Sequence, residues 1–103
     1  MKKIYTIDIL CFDSENTCDF VYNDNFSKAY TSYEIAKNNL DTMIESEYKS
    51  LVEYKNAWKD FSIKNYINND REECERELWF KDNAKQEEYL LTRYTIRKLE
   101  IEK

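Results

Sequence analysis

Apolar and polar residues alternate near the beginning of the chain, which is the pattern of a half-buried β-strand. Tyr, Ile and Cys occupy the odd positions of segment 5–11, and Cys, Phe and Tyr occupy the even positions of segment 18–22. The polar residues 13–16 between them are typical of a four-residue turn. The pattern predicts a β-hairpin in which Cys11 lies opposite Cys18 and both apolar sets share one face.

The middle of the chain carries apolar residues at the three- and four-residue spacing of an amphipathic helix. This stripe predicts a long helix over roughly 32–62. Thr31 is the expected N-cap, and Glu34 is placed to reach back to its amide in a capping box. We expect the apolar face of this helix to supply the centre of the core, through Leu40, Ile44, Leu51 and Trp58.

A shorter helix is predicted after the polar residues 68–70. Asp70 is a suitable N-cap for a helix that extends to about Phe80, and Glu73 occupies the capping-box position. Cys74 and Leu78 would then face the core together, because residues four apart lie on the same side of a helix.

The last stretch, 89–102, is rich in Leu, Tyr, Thr and Ile and is predicted to be a strand. Its apolar residues fall on both faces, with Leu90, Tyr94 and Ile96 on one and Leu99 and Ile101 on the other. A β-bulge near residues 97–98 would reconcile the two sets. The predicted order is therefore β-β-α-α-β.

The length of 103 residues is that of one domain. We therefore expect a single α+β domain over 1–103. Its small antiparallel sheet, made of the N-terminal hairpin and the C-terminal strand, would pack against the long helix and the shorter one.

The composition limits the chemistry that this chain can perform, since it contains no Gly, no Pro and no His. Without His it lacks the usual general base near neutral pH and the commonest metal ligand. Without Gly it cannot form the phosphate-binding loops of dinucleotide or nucleoside triphosphate sites. We predict no catalytic, cofactor-binding or metal-binding residues. A small carboxylate- or metal-dependent enzyme is the least favoured alternative, because acidic residues can bind a hard metal without His.

The three cysteines form no C-x-x-C pair and are odd in number, which is typical of reduced thiols rather than of a disulfide framework. A Cys11–Cys18 disulfide is geometrically possible at the predicted hairpin register, although a reducing compartment disfavours it. The N-terminal segment lacks the features of a signal peptide, and no apolar run is long enough to span a membrane. These observations predict a cytoplasmic protein.

Acidic residues outnumber basic ones by 21 to 16, which gives a formal net charge of -5. Only the final strand is basic, through Arg93, Arg97 and Lys98. The net charge argues against direct nucleic-acid binding, whose affinity comes mainly from neutralising phosphates. It favours a protein partner with a basic surface, although a charged surface that serves solubility is equally compatible. The candidate partner-binding residues are Glu34, Asp41, Glu45, Asp70, Glu72, Glu73 and Glu77.

A resemblance to known proteins is carried by three segments, YTIDIL, TSYEIAKNNLDTMI and RYTIRKLEIE. In its general sequence character, the chain resembles the small orphan proteins of phages and mobile elements. Anti-CRISPR proteins belong to this group, and they are often acidic inhibitors that occupy the nucleic-acid path of a host nuclease. The group shares no common fold or signature, so the resemblance transfers no functional residue. It implies a phage-encoded inhibitor that acts in the cytoplasm of the host cell.

The sequence thus predicts a non-enzymatic, acidic binding protein. The leading hypothesis is an inhibitor that acts as a nucleic-acid mimic and occupies the basic nucleic-acid groove of a host protein. The alternative is a cytosolic interaction or regulatory subunit that has no antagonistic role.

Overall fold

The computed structural model describes residues 2–12, 20–25, 28–53 and 59–101. For residues 20–25 and 59 it describes the backbone only. In these ranges the chain forms five strands, one α-helix and a short 3-10 turn. The elements are β1 (Lys2–Phe12), β2 (Phe20–Asn25), α1 (Tyr33–Val52), β3 (Lys59–Asn68), the 3-10 turn Asn69–Arg71, β4 (Glu73–Asp82) and β5 (Glu87–Ile101).

The five strands form one antiparallel sheet in the order β2-β1-β5-β4-β3. The helix α1 lies across one face of this sheet and contacts β1, β3, β4 and β5. Among the described elements, none covers the opposite face, which we call the open face. The α+β class is confirmed, and the sheet is larger than the sequence predicts.

The core lies between α1 and the sheet. Ala36, Leu40 and Ile44 are fully buried, and their spacing of four residues places them on one side of the helix. Ile7 and Leu78 meet them from the sheet, where alternate residues point to the same face. Full burial of each Leu or Ile side chain contributes about 1.5–3 kcal/mol to folding. The helix therefore anchors the sheet, as predicted.

The N-terminal hairpin is present, but its predicted register is wrong. Cys11 lies opposite Tyr22 rather than Cys18, and Phe12 lies opposite Phe20. Seven residues, 13–19, thus separate the last paired positions, where a four-residue turn was expected. A longer connection fixes the register of a hairpin less strongly than a tight turn does. The predicted turn and Cys18 lie outside the described residues.

The helix α1 is shorter than predicted, because it ends at Val52 and the segment from Lys59 belongs to β3. The chain has no Gly or Pro to mark the end of a helix. Ser32 rather than Thr31 is the N-cap, since its side chain accepts a hydrogen bond from the amide of Ile35. Of the predicted core residues of this segment, Trp58 lies outside the described part of the chain. No helix in the described ranges has both the length and the apolar character needed to cross a membrane.

The predicted second helix is wrong, and with it the order β-β-α-α-β. Residues 73–82 form the strand β4, preceded by the 3-10 turn, whose N-cap is Asn68 rather than Asp70. Cys74 and Leu78 are buried as expected. Residues that are four positions apart share one face of a strand and also one face of a helix. The spacing alone therefore does not distinguish a strand from a helix. The described order is β-β-α-β-β-β.

The C-terminal strand is confirmed and is the longest in the sheet. Tyr94 and Ile96 are buried in the core beneath the helix, whereas Leu99 and Ile101 are exposed. Leu90 is also buried, but it lies opposite Trp79 and is not part of that core. The two faces need no bulge near residues 97–98, because the pairing of β1 with β5 is continuous there. The irregularity lies in the other ladder, where the register shifts between Leu78 and Trp79.

Candidate functional site

A polar groove lies between the first turns of α1 and the 3-10 turn. It has a volume of about 570 Å³, and its walls include Tyr33, Glu34, Lys37 and Glu72. The N-cap at Ser32 starts the helix at this point, and the end of β3 brings the turn to the same edge of the fold. The groove therefore joins two segments that are far apart in the sequence.

Two tyrosines fix the wall of this groove. The Tyr33 hydroxyl donates to Oδ1 of Asn69 at 2.9 Å, and it lies 3.2 Å from the carbonyl oxygen of Glu73. The Tyr5 hydroxyl donates to the Glu72 carboxylate at 2.9 Å. These bonds tie the helix and β1 to the 3-10 turn, so the groove is a fixed feature of the fold.

The same tyrosines are held in their neutral form. Burial raises the pKa of Tyr33 to about 12, and the negative charges that Cys74, Glu72, Asp41 and Glu73 can carry add to the effect. The pKa of Tyr5 is also raised, mainly by burial and then by its hydrogen bond to Glu72. A phenolate at either position would lie in a poorly solvated site close to carboxylates.

The seven predicted partner-binding acids do not form one surface. Glu34 and Glu72 both line the groove. Asp70 is exposed in the 3-10 turn, and Glu73 is exposed at the start of β4. On the helix, Asp41 lies 2.8 Å from a guanidinium nitrogen of Arg76 and 3.2 Å from the ammonium of Lys37. Glu45 is 4.0 Å from Arg76, and its side chain is 67% exposed.

Glu77 lies on the open face of the sheet, away from the α1 groove. Its neighbour Leu78 is buried under the helix, and successive residues of a strand point to opposite faces. Glu77 is only 4% exposed, so it cannot contribute to an accessible acidic surface. The structure therefore brings Glu34 and Glu72 together and separates Glu77 from both.

Glu77 is the centre of a polar cluster that sequence reasoning did not find. Its carboxylate accepts hydrogen bonds from Nε of Arg93 at 2.9 Å and from Nε1 of Trp79 at 3.2 Å. The Lys64 ammonium lies over the Trp79 ring, 3.9 Å from its centroid. These residues come from three adjacent strands, β3, β4 and β5. The assignment of residues 70–80 to a helix hid the cluster, because helical geometry would not place Glu77 and Trp79 on one face.

The three cations of the C-terminal strand do not form a basic surface. Arg93 is bound by Glu77, Arg97 lies 2.7 Å from a carboxylate oxygen of Asp8, and the Lys98 ammonium lies 3.7 Å from Glu72. Each expected basic residue thus contacts an acidic residue of a neighbouring segment. The strand that the sequence marks as basic is largely neutralised in the fold.

A third set of polar contacts fixes α1 on the sheet. Glu47 accepts a hydrogen bond from the Thr92 hydroxyl at 2.9 Å and another from the Tyr94 hydroxyl. Burial raises the pKa of Tyr94, and its hydrogen bond to Glu47 raises it further. These contacts satisfy polar groups at the helix–sheet boundary, so they serve the packing of the core.

The reactive groups of the described residues are few. Burial raises the pKa of the Cys74 thiol, and the nearby Asp41 adds to this effect, so Cys74 is poorly suited to act as a thiolate. No group of three or more Cys, Asp or Glu side chains in the described ranges is arranged to hold a metal ion.

Comparisons of this chain with protein-family models, with curated proteins and with solved structures find no match. The functional argument therefore depends on the residues and contacts described above.

Proposed function

We propose that this protein is a non-enzymatic inhibitor, encoded by a phage or mobile element, that binds a host nucleic-acid-handling protein. It would act in the host cytoplasm and occupy a basic groove that normally holds DNA or RNA. The acidic residues beside the α1 groove would provide the negative charge that this partner recognises.

The observation that supports this proposal most is the distribution of ion pairs. Arg93, Arg97 and Lys98 are each engaged by a carboxylate of the same chain. This arrangement leaves few cations along β5 to neutralise phosphates, which is the main source of affinity for nucleic acids. A net charge of -5 remains, and it includes exposed carboxylates at Glu34 and Glu45. A surface of this kind attracts a basic partner over a long range.

Glu34 and Glu45 are suited to carry this attraction. They lie eleven residues apart on α1, which is close to three full helical turns, so they point in similar directions. Both are exposed, and Glu34 borders the groove that Glu72 lines from the other side. A basic side chain of the partner would therefore meet the Glu34 carboxylate at the border of the groove.

Charge reversal tests the proposal directly. The protein is used as bait in a lysate of its host, and the captured partner is then purified. We expect Glu34→Lys/Glu45→Lys to reduce the association rate by about tenfold or more at low salt, because steering by charge acts mainly on association. Added salt should reduce the difference between this variant and the wild-type protein.

The matched control is Glu53→Lys/Glu100→Lys, which makes the same change of charge at exposed positions outside the groove. Circular dichroism should show that both variants keep the fold. Equal association rates for the two variants would contradict the proposal, as would binding that is insensitive to salt.

A further inference from the structure

β3 is an edge strand of the described sheet. All ten of its residues pair with β4 in a continuous register, from Lys59 opposite Asp82 to Asn68 opposite Glu73. It stands last in the sheet order, and no other described strand pairs with its outer side. Backbone groups along an edge of this kind can pair with a further strand. At the start of β3, the Phe61 N–H donates to the Asp60 carboxylate at 3.0 Å.

Two of the usual protections of an edge strand, a bulge and a Pro, are missing from β3. Lys64, a charge at mid-strand, is directed inward over β4 and β5, with its ammonium above Trp79 and 3.5 Å from the Glu88 carboxylate. Tyr66 and Ile67 are large apolar residues of the same strand, and they are 55% and 41% exposed.

The sequence of β3 is complementary to itself in the antiparallel direction. A two-fold axis perpendicular to the sheet can pass through Asn65, which then lies opposite its own copy. In this register Ile63 lies opposite Ile67 of the second copy, and Lys64 lies opposite Tyr66 of the second copy. The first pair is apolar, and the second places no like charges opposite each other. An axis through Lys64 would instead place two ammonium groups opposite each other.

We propose that β3 is a self-association edge, at which two copies of this chain pair antiparallel about Asn65 and form one continuous sheet. The axis is perpendicular to the sheet, so both α1 helices lie on the same face of the dimer. An interface made by one strand pair is small compared with those of permanent complexes. The dimer is therefore reversible and forms as the protein concentration rises. The inference rests on β3 alone and is independent of the proposed inhibitor function.

Sedimentation velocity across a wide concentration range tests this interface. Tyr66→Lys/Ile67→Lys places new cations on the edge, with residue 66 opposite Lys64 of the second copy, and should raise the dimer Kd by about tenfold or more. Leu99→Lys/Ile101→Lys is the matched control, because these residues have similar exposure, at 41% and 40%, but belong to the central strand β5. It should leave the Kd unchanged. A wild-type protein that stays monomeric up to its solubility limit would overturn the proposal, and so would a dimer that both variants weaken equally.

Cysteine cross-linking tests the register. Directly opposite residues of antiparallel strands have Cα atoms about 4.5–5.5 Å apart, within the range of a disulfide. Asn65→Cys should therefore give a covalent dimer on mild oxidation. Tyr66→Cys should not, since the two Cα atoms at position 66 would be roughly 8 Å apart. The wild-type protein, with its three native cysteines, measures the background. Equal cross-linking of the two variants would refute pairing about Asn65.

Discussion

Polar side chains in this protein form hydrogen bonds and ion pairs with one another across strands and turns. Glu77 is a buried carboxylate, and a buried charge is strongly destabilising unless it is paired and hydrogen-bonded. Arg93 and Trp79 provide that partner and that hydrogen bond. Tyr33 has a similar role at the opposite end of β4, where its hydroxyl joins α1 to the 3-10 turn. The polar contacts of the fold therefore bind its elements together.

Tyr33 should make the stability of the protein sensitive to alkaline pH. Its pKa is about 12 in the folded state against an ordinary value of 10, so the unfolded chain loses this proton first. The unfolded state then binds fewer protons, and the free energy of unfolding falls as pH rises from 10 towards 12. Tyr33→Phe should weaken this fall, as measured by urea unfolding at several pH values.

The free energy of unfolding of Tyr33→Phe should still decrease somewhat at alkaline pH, because the pKa values of Tyr5 and Tyr94 are also raised. Tyr66→Phe, which removes an exposed phenol hydroxyl, is the matched control. A Tyr33→Phe protein that loses stability above pH 10 as steeply as the wild type would show that this residue does not carry the effect.

The elements of the fold differ in how well the sequence predicts them. The strand β1, the helix α1 and the strand β5 have clear apolar periods, and all three are present. The sequence predicts a helix in place of β4, because the spacing of Cys74 and Leu78 fits both a helix and a strand. The absence of Gly and Pro also removes the signals that usually mark where a helix ends, so β3 was joined to α1.

The candidate site was less predictable than the fold. The sequence predicts that Glu34 and Glu45 lie on one helix, and both belong to α1. Sequence reasoning could not find the ion pairs of Arg93, Arg97 and Lys98, because these depend on the order of strands in the sheet. The partners of Arg97 and Lys98 are Asp8 and Glu72, which are remote in the sequence.

The inner face of α1 packs against the sheet through fully buried side chains, among them Leu40 and Ile44. Leu40→Ala should reduce the free energy of unfolding by about 2–5 kcal/mol, because it leaves a cavity at a fully buried position. Val52→Ala, near the exposed end of the same helix, should change it by about 0.5 kcal/mol or less. Chemical denaturation gives both values. Similar losses at the two positions would contradict the packing described for α1.

At the scale of the whole molecule, one helix and one sheet give the protein two different faces. The helix side carries the polar groove and the exposed carboxylates, whereas the open face carries the paired cluster around Glu77. Arg93, Arg97 and Lys98 of β5 are paired with carboxylates of the same chain, and the net charge of the chain is -5. This division of charge is the physical basis of the proposed inhibitor function.

Competition with nucleic acid tests this proposed function most directly. Fluorescence anisotropy of labelled DNA and RNA is measured with the protein alone, with the captured partner, and with the partner plus increasing amounts of the protein. We predict no binding by the protein itself at moderate salt, and displacement of the nucleic acid from the partner as the protein is added. Tight binding of nucleic acid by the protein alone would contradict the account, and so would a partner that binds the protein and nucleic acid at the same time.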